Sequence, residues 1–378
     1  MKRKTLISVI GAGLTVAAAG VLLPSTAIGA QDNNTVDRAT TDSFGRLADA
    51  VLNERTAALL DGRRVTRPGD LHDKKVRVAS GLARTETSGL SSLRDRKKVL
   101  EQLGEVYSNA ETKVSTDGVR IKGRTATVQV TETTVLTYKK VRGDEPTTTG
   151  FQAHHELTFT RGSKGSWELS TIRAKDEGPR AVNQPVTAPA PATDGDGYPK
   201  ATPAAITWPA RPAPKTQKAG GYDYKAMAAY AEKYWSRYNP AYPSFNKGGG
   251  DCTNFISQAL KAGGWKDAPG SESDYTKWWY NSSNRSLSTS WVGANEWSWF
   301  TLSQKRATNL QNVYQMDVGD ILQMDFDRDG SKDHSMIVTY RSRMGVPYVT
   351  YHSTNTFRKS VASIIASNPD AVYYAYRT

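Results

Sequence analysis

Prolines fall at positions 179, 185, 189, 191, 199, 203, 209, 212 and 214, set among Ala and Thr. Proline fixes φ and lacks an N–H donor, so residues 176–216 build no core of their own and tend to extended polyproline conformations. A chain of 378 residues interrupted in this way is expected to fold as separate pieces. The expectation is a small domain at 40–175, a semi-rigid linker at 176–216 and a second domain at 220–378. Hydrophobic residues at 38% against charged residues at 23% support folded cores rather than general disorder.

The N-terminus reads as an address. Met1-Lys2-Arg3-Lys4 is basic, Leu6 to Leu23 is apolar, and small residues follow from Ser25 to Ala30. These are the parts of a secretory signal peptide over residues 1–30, with cleavage after Ala30. An uncleaved membrane anchor is the alternative reading of the same stretch. No later stretch is apolar enough to span a bilayer, so the expectation is a secreted, extracellular protein with no stable membrane insertion after cleavage. The formal net charge of +13 is scattered, with no dense Lys/Arg run in the mature chain and no nucleic-acid motif. That pattern argues against a nucleic-acid partner and for an anionic surface such as a bacterial wall.

In the first piece, Phe44, Leu47, Val51 and Leu59–Leu60 have helical spacing, and a second helix is expected around Leu90–Ser108. The period then changes. Gly118 to Lys122, Thr125 to Tyr138, Phe151 to Thr160 and Trp167 to Arg173 alternate or are β-branched, which predicts an antiparallel meander. Helices followed by such a sheet give a small α+β domain. His154 and His155 are adjacent on a strand and point to opposite faces, so they read as structural or surface residues rather than one metal site.

An exported chain with a single cysteine cannot use it for an internal bridge. Cys252, Phe255, Ile256, Ala259 and Leu260 fall on one helical face, Asp251 stands at the N-cap position, and Gly263-Gly264 ends the run. Cys252 therefore heads a helix after a glycine run. There the helix dipole and unpaired N–H groups favour a thiolate and can hold an oxyanion, although the Asp251 carboxylate opposes the thiolate unless it caps the helix. A cysteine packed as a small hydrophobe is the competing reading. His334 and His352 share this domain, at the start and end of two strand-like runs joined by a turn near Arg343. A turn centred on Arg343 would set them directly opposite one another, as a base and the group that holds it. Asn355 is the alternative orienting group.

Asp325, Asp327, Asp329 and Gly330 match the start of a calcium loop, but Met336 stands where a bidentate Glu is expected. An Asp/Gly turn is the preferred reading, and no metal or cofactor is expected. Trp265, Trp278, Trp279, Trp291, Trp297 and Trp299 are read mainly as core, with some available to line a groove.

Gly250 to Gln258, Gly319 to Leu322, Asp333 to Val338 and Thr350 to Thr356 resemble, in order, blocks of the bacterial putative amidase domain family, related to papain-like cell-wall peptidases of the NlpC and CHAP types. The resemblance covers roughly 220–378. It implies an α+β, papain-like domain with a Cys–His–polar triad, the cysteine on a helix packed on an antiparallel sheet. Carried onto this chain, Cys252 attacks a carbonyl, His334 is the base and His352 supports it, with Asn355 as the other candidate third member. The N–H of Cys252 and the side chain of Asn246 are the oxyanion donors considered. The expected activity is hydrolysis of amide bonds in peptidoglycan or peptides. The alternative is a non-catalytic wall-binding protein on a degenerate hydrolase fold. The 40–175 piece would recognise the wall, inhibit as a pro-domain, or act as a spacer.

Overall fold

Phe44, Leu47, Ala48, Val51 and Leu52 form the buried stripe of α1 (Arg38–Ala57). The strands β1 (His72–Asp73) and β2 (Val76–Val78) follow, then α2 (Ser80–Gln102). α2 begins well before the helix that the apolar spacing predicts. Its buried positions are Leu82, Glu86, Leu90, Leu93, Arg96 and Leu100, and the charges at two of them hide the stripe from an apolar count. Glu86 pairs with Arg55 at 2.6 and 2.8 Å, and Arg96 Nη1 donates to the Val182 and Gln184 carbonyls at 2.6 and 2.7 Å. The β-branched runs form β3 (Tyr107–Lys122), β4 (Thr125–Tyr138), β5 (Thr148–Arg161) and β6 (Trp167–Ala174), an antiparallel meander as expected. β2 adds to β6 in parallel.

This computed structural model describes residues 38–74, 76–162, 165–185, 198–213, 215, 221–246 and 250–378. The expected leader at 1–30 lies outside the described residues, as do residues 186–197, 214 and 216 of the expected linker. No helix among the described residues is long and apolar enough to cross a membrane.

The second half runs α3 (Tyr224–Tyr234), α4 (Cys252–Ala262), β7 (Tyr280–Asn281), β8 (Ser286–Leu287), α5 (Thr289–Val292), α6 (Ala294–Ser303), β9 (Thr308–Leu310), β10 (Ile321–Asp325), β11 (His334–Arg341), β12 (Pro347–Tyr351), β13 (Thr356–Ser360), α7 (Val361–Ser367) and β14 (Val372–Arg377). The result is a mixed α+β fold on a large, mostly antiparallel sheet. Side chains alternate across it. Ile321, Ile337, Tyr374 and Tyr376 pack with Phe255, Ile256 and the buried Trp265, Trp278, Trp291 and Trp297. Leu322, Met336, Val338 and Tyr373 pack on the other face with Val361 and Ile364 of α7. The tryptophan-rich stretch is therefore largely core.

The two halves are continuous. β13 pairs with β5 through Thr356↔Phe151 and Phe357↔Gly150, so one sheet of 12 strands runs through both among the described residues. From Val36 to Thr378 the chain is one compact unit. The described parts of the expected semi-rigid linker are packed on the rest of the fold. Ala181 and Val182 are buried with Leu90 and Tyr348, the Ala204 N–H donates to the Tyr373 carbonyl at 2.8 Å, and Lys215 meets Asp320 at 2.7 Å. An extended backbone with few donors still offers carbonyls, and Arg96 uses them to fix the segment to α2.

Candidate active site

Gly250 has φ +102°, a conformation that glycine adopts freely, and a Cβ there would sit 2.8 Å from Ser353 Oγ. The next N–H, of Asp251, donates to that same Oγ at 3.0 Å. The Asp251 side chain does not cap α4. Its Oδ1 accepts from the Phe245 N–H at 2.8 Å and Asn254 Nδ2 at 2.9 Å, and its Oδ2 lies 2.7 Å from His352 Nδ1. The expected side-chain cap is corrected: these lone pairs hold the preceding loop and His352 instead.

His352 is almost fully buried, stacked on Phe255 at 4.0 Å and against Tyr238 at 4.2 Å. Its Nε2 lies 2.8 Å from the Tyr234 carbonyl. Both ring nitrogens thus face oxygens. His352 clamps the end of α3, the start of α4 and the end of β12 together.

The expected His334–His352 opposition is not formed. Ile337 pairs with Thr350 and Val338 with Val349, and the register shifts between Val338 and Tyr340. That register sets His334 against position 353, and β12 ends at Tyr351. The turn closes where the Ser342 N–H donates to the Val346 carbonyl, and the irregularity at Thr339 moves the register by a residue. Asn355 does not replace His352, because it accepts from the Tyr238 hydroxyl at 3.1 Å and donates to Gln152.

His334 heads β11, buried edge-on against Tyr351 at 5.2 Å. Its Nε2 has no hydrogen-bond partner among the described residues. Burial, with nearby His352 adding, pulls its pKa down to about 3, so the ring is neutral at physiological pH. Cys252 is 8% exposed. Its Sγ is within reach of the Ser335 N–H, one peptide bond from His334, and 3.7 Å from Thr253 Oγ1. Thr253 Oγ1 contacts Ser335 Oγ at 3.0 Å, and Gln323 Nε2 donates to that Oγ at 2.9 Å, which ties α4, β11 and β10 together. Burial pushes the thiol above its ordinary value. The Ser335 N–H and Thr253 oppose that shift and the Asp251 charge adds to it. Burial thus works against the thiolate that the helix N-terminus is expected to favour.

A cavity of about 580 Å³ adjoins this corner, lined by Tyr238, Asn246, Gly250 and Ser353 of the second half and by His154 and His155 of the first. The sequence marked these two histidines as structural or surface residues. Their carboxylate partners, Asp176 and Glu132, lie 22 and 23 residues away in the chain, so no local pattern advertises either pair. In the acidic loop, Asp325, Asp327 and Asp333 can each bring an oxygen within 4.8 Å of the others. Asp329 instead accepts the Ser331 N–H at 2.6 Å, and Met336 is fully buried. Burial and the neighbouring carboxylates raise the Asp333 carboxyl to about 6.

The second half is thus an α+β domain whose defining feature is a thiol-headed helix on an antiparallel sheet. Residues 221–376 match the family model described as a putative amidase domain, a description that suggests a hydrolase. The chain is similar to the uncharacterized protein YhbB of Bacillus subtilis (strain 168), 36% identical over 140 residues, covering 35% of this chain and 42% of that protein. It is also similar to the uncharacterized protein YjcM of the same strain, 34% identical over 145 residues, covering 36% and 32%. The chain therefore spans less than half the length of these relatives. Among solved structures, the intermembrane space region of chloroplast protein ARC6 is 16% identical with a TM-score of 0.25, covering 37% of this chain and 98% of that one. The Kfla4162 protein from Kribbella flavida is 18% identical with a TM-score of 0.23, covering 35% and 90%. At these scores neither bears on the fold.

Proposed function

We propose that this protein is an exported, cysteine-dependent amide hydrolase acting on peptidoglycan or related peptides, with Cys252 as nucleophile and His334 as base. One observation carries the reading. Cys252 Sγ lies against the backbone of Ser335, and the adjoining His334 keeps Nε2 without a partner among the described residues, whereas His352 and Asn355 are held by other groups. The leader-like N-terminus supports export, and the family description supports amide chemistry.

In the resting site, burial holds both thiol and imidazole uncharged. Substrate and the water it carries in relieve that penalty. The thiol proton passes to His334 Nε2 as sulfur bonds to the carbonyl carbon. The negative oxygen develops near the N-terminus of α4, where the first N–H groups of a helix have no intrahelical partner. The imidazolium then protonates the leaving nitrogen, and the C–N bond breaks. Water, deprotonated by His334, attacks the thioester, the C–S bond breaks, and the free acid departs with the thiol restored. His352 and Asp251 act by positioning the start of α4.

Mass spectrometry of purified peptidoglycan after incubation with the enzyme tests this. Wild type is expected to release fragments, and Cys252→Ala and His334→Ala to release at least about 10³-fold less. Equal release by wild type and Cys252→Ala would sink the proposal. The 8% exposure of the cysteine favours a second reading, a wall-binding module on a degenerate hydrolase fold. Co-sedimentation with wall material in the absence of any released fragment selects that reading.

A further inference from the structure

The loop after α1 and one side of α2 enclose a second cavity, of about 420 Å³, within the first half of the molecule. The turn at Pro68–Asp70 packs on the helix: a Cβ on Gly69 would lie 3.8 Å from that of Ala83. Arg84 and Arg94 line the cavity from α2, and Arg67 and Asp70 line it from the loop. Arg67 pairs with Asp70 at 3.1 Å, and both side chains are exposed. Arg84 and Arg94 are exposed and have no carboxylate partner among the described residues, because the neighbouring Asp95 is taken by Lys98. Three arginines against one aspartate leave the groove positive, and Arg63 and Arg64 precede it on the same loop, both exposed.

We propose that this groove binds a phosphodiester-linked polyol, a polyanion of the kind a bacterial wall presents, through Arg67, Arg84 and Arg94. A guanidinium fork meets two phosphate oxygens at once and needs no buried pocket to do so. No aromatic side chain lines the groove among the described residues, so nucleic-acid bases would have nothing to stack on. Its apolar lining is sunk, with Pro68 and Leu90 buried, and none of the exposed large hydrophobic residues lies in it, so a bilayer would receive no inserted side chain. A chain of phosphates joined by small hydroxylated units fits what remains. The groove shares no lining residue with the cavity beside α4, so a bound polymer holds the protein in place without filling that cavity. The placement at a wall rests on the exported-hydrolase reading; the binding itself does not.

Full-length protein is titrated calorimetrically with a glycerol-phosphate oligomer. Three phosphate contacts are expected to weaken binding about twentyfold between 50 and 200 mM salt. Arg84→Gln/Arg94→Gln should bind about tenfold more weakly or worse, with the salt effect reduced to about threefold. Lys266→Gln/Lys305→Gln removes the same charge from exposed positions of the second half and should stay within about twofold of wild type. Melting temperatures check folding, and Arg67→Gln alone, with an expected loss of about threefold, decides if the arginine pair does not fold. No binding of the oligomer, equal losses in the two double variants, or tighter binding of oligothymidylate or of equimolar phosphatidylglycerol–phosphatidylcholine vesicles overturns the proposal. The oligomer contains no amide bond, so its binding and the release of peptidoglycan fragments succeed or fail separately.

Discussion

Each half of the molecule buries a histidine against a carboxylate, and the two pairs are finished differently. In the second half, Asp251 and His352 meet at 2.7 Å and the remaining ring nitrogen lies on the Tyr234 carbonyl. In the first half, Glu132 and His155 meet at 2.9 Å and the remaining nitrogen has no partner among the described residues. Of the two, the fully bonded pair joins three pieces of backbone, which suits it to holding the start of α4. The open pair leaves one buried ring nitrogen without a partner among the described residues and so joins fewer groups. His334 belongs with the open kind, although no carboxylate among the described residues supports it.

The largest effect expected from this contrast is on stability. His352→Ala leaves the Asp251 carboxylate and the Tyr234 carbonyl buried without their partner and should cost about 3–5 kcal/mol. His155→Ala should cost less, about 2–3 kcal/mol, because it strips a partner from one buried oxygen, Glu132 Oε2, where His352→Ala strips partners from two. Urea unfolding of both variants measures the order, and a larger loss for His155→Ala breaks the comparison.

The next effect is in acid. A ring held neutral in the fold down to about pH 3 takes up a proton in the unfolded chain below its ordinary 6.5. The unfolded state then binds more protons, so stability falls as pH drops from 6.5 toward 3, by about 4–5 kcal/mol at the lower end for this group alone. His334→Gln should flatten that slope in urea midpoints taken at pH 7, 5 and 4. An identical slope in wild type and variant would show that His334 is not held neutral.

The smallest effect is on the thiol. Iodoacetamide labelling of the free enzyme should be slow at neutral pH and rise with a midpoint above 9.0, because burial disfavours the thiolate. A midpoint below pH 7 would mean that the helix N-terminus dominates, and the resting site would then hold an ion pair.

Much of this layout was legible in the sequence where one physical signal acts alone. The α1 stripe, the β3–β6 meander and the helix headed by Cys252 follow from apolar period and turn residues. Signals failed where a tertiary partner changes the meaning of a residue. Glu86 and Arg96 sit in the buried stripe of α2 because Arg55 and the carbonyls of 182 and 184 receive them. Asp251 has the residue type of a cap and spends its oxygens on His352 and the loop. The hairpin turn centres on position 344 rather than Arg343, an offset of two in the pairing, and the irregularity near Thr339 takes back only one, which leaves His334 set against position 353 instead of His352. The cavity beside Gly250 was invisible because its lining is drawn from strands of the first half and loops of the second.

The β5–β13 pairing has a consequence for how this protein can be cut. The family match begins at residue 221, which suggests that the second half is a self-contained piece. A fragment starting there would lose Gly150 and Phe151 and leave the outer side of β13 bare at Thr356 and Phe357. Bare strand groups recruit other chains, so the fragment should self-associate through that rim. For this protein the boundary of the family and the boundary of a well-behaved soluble piece do not coincide.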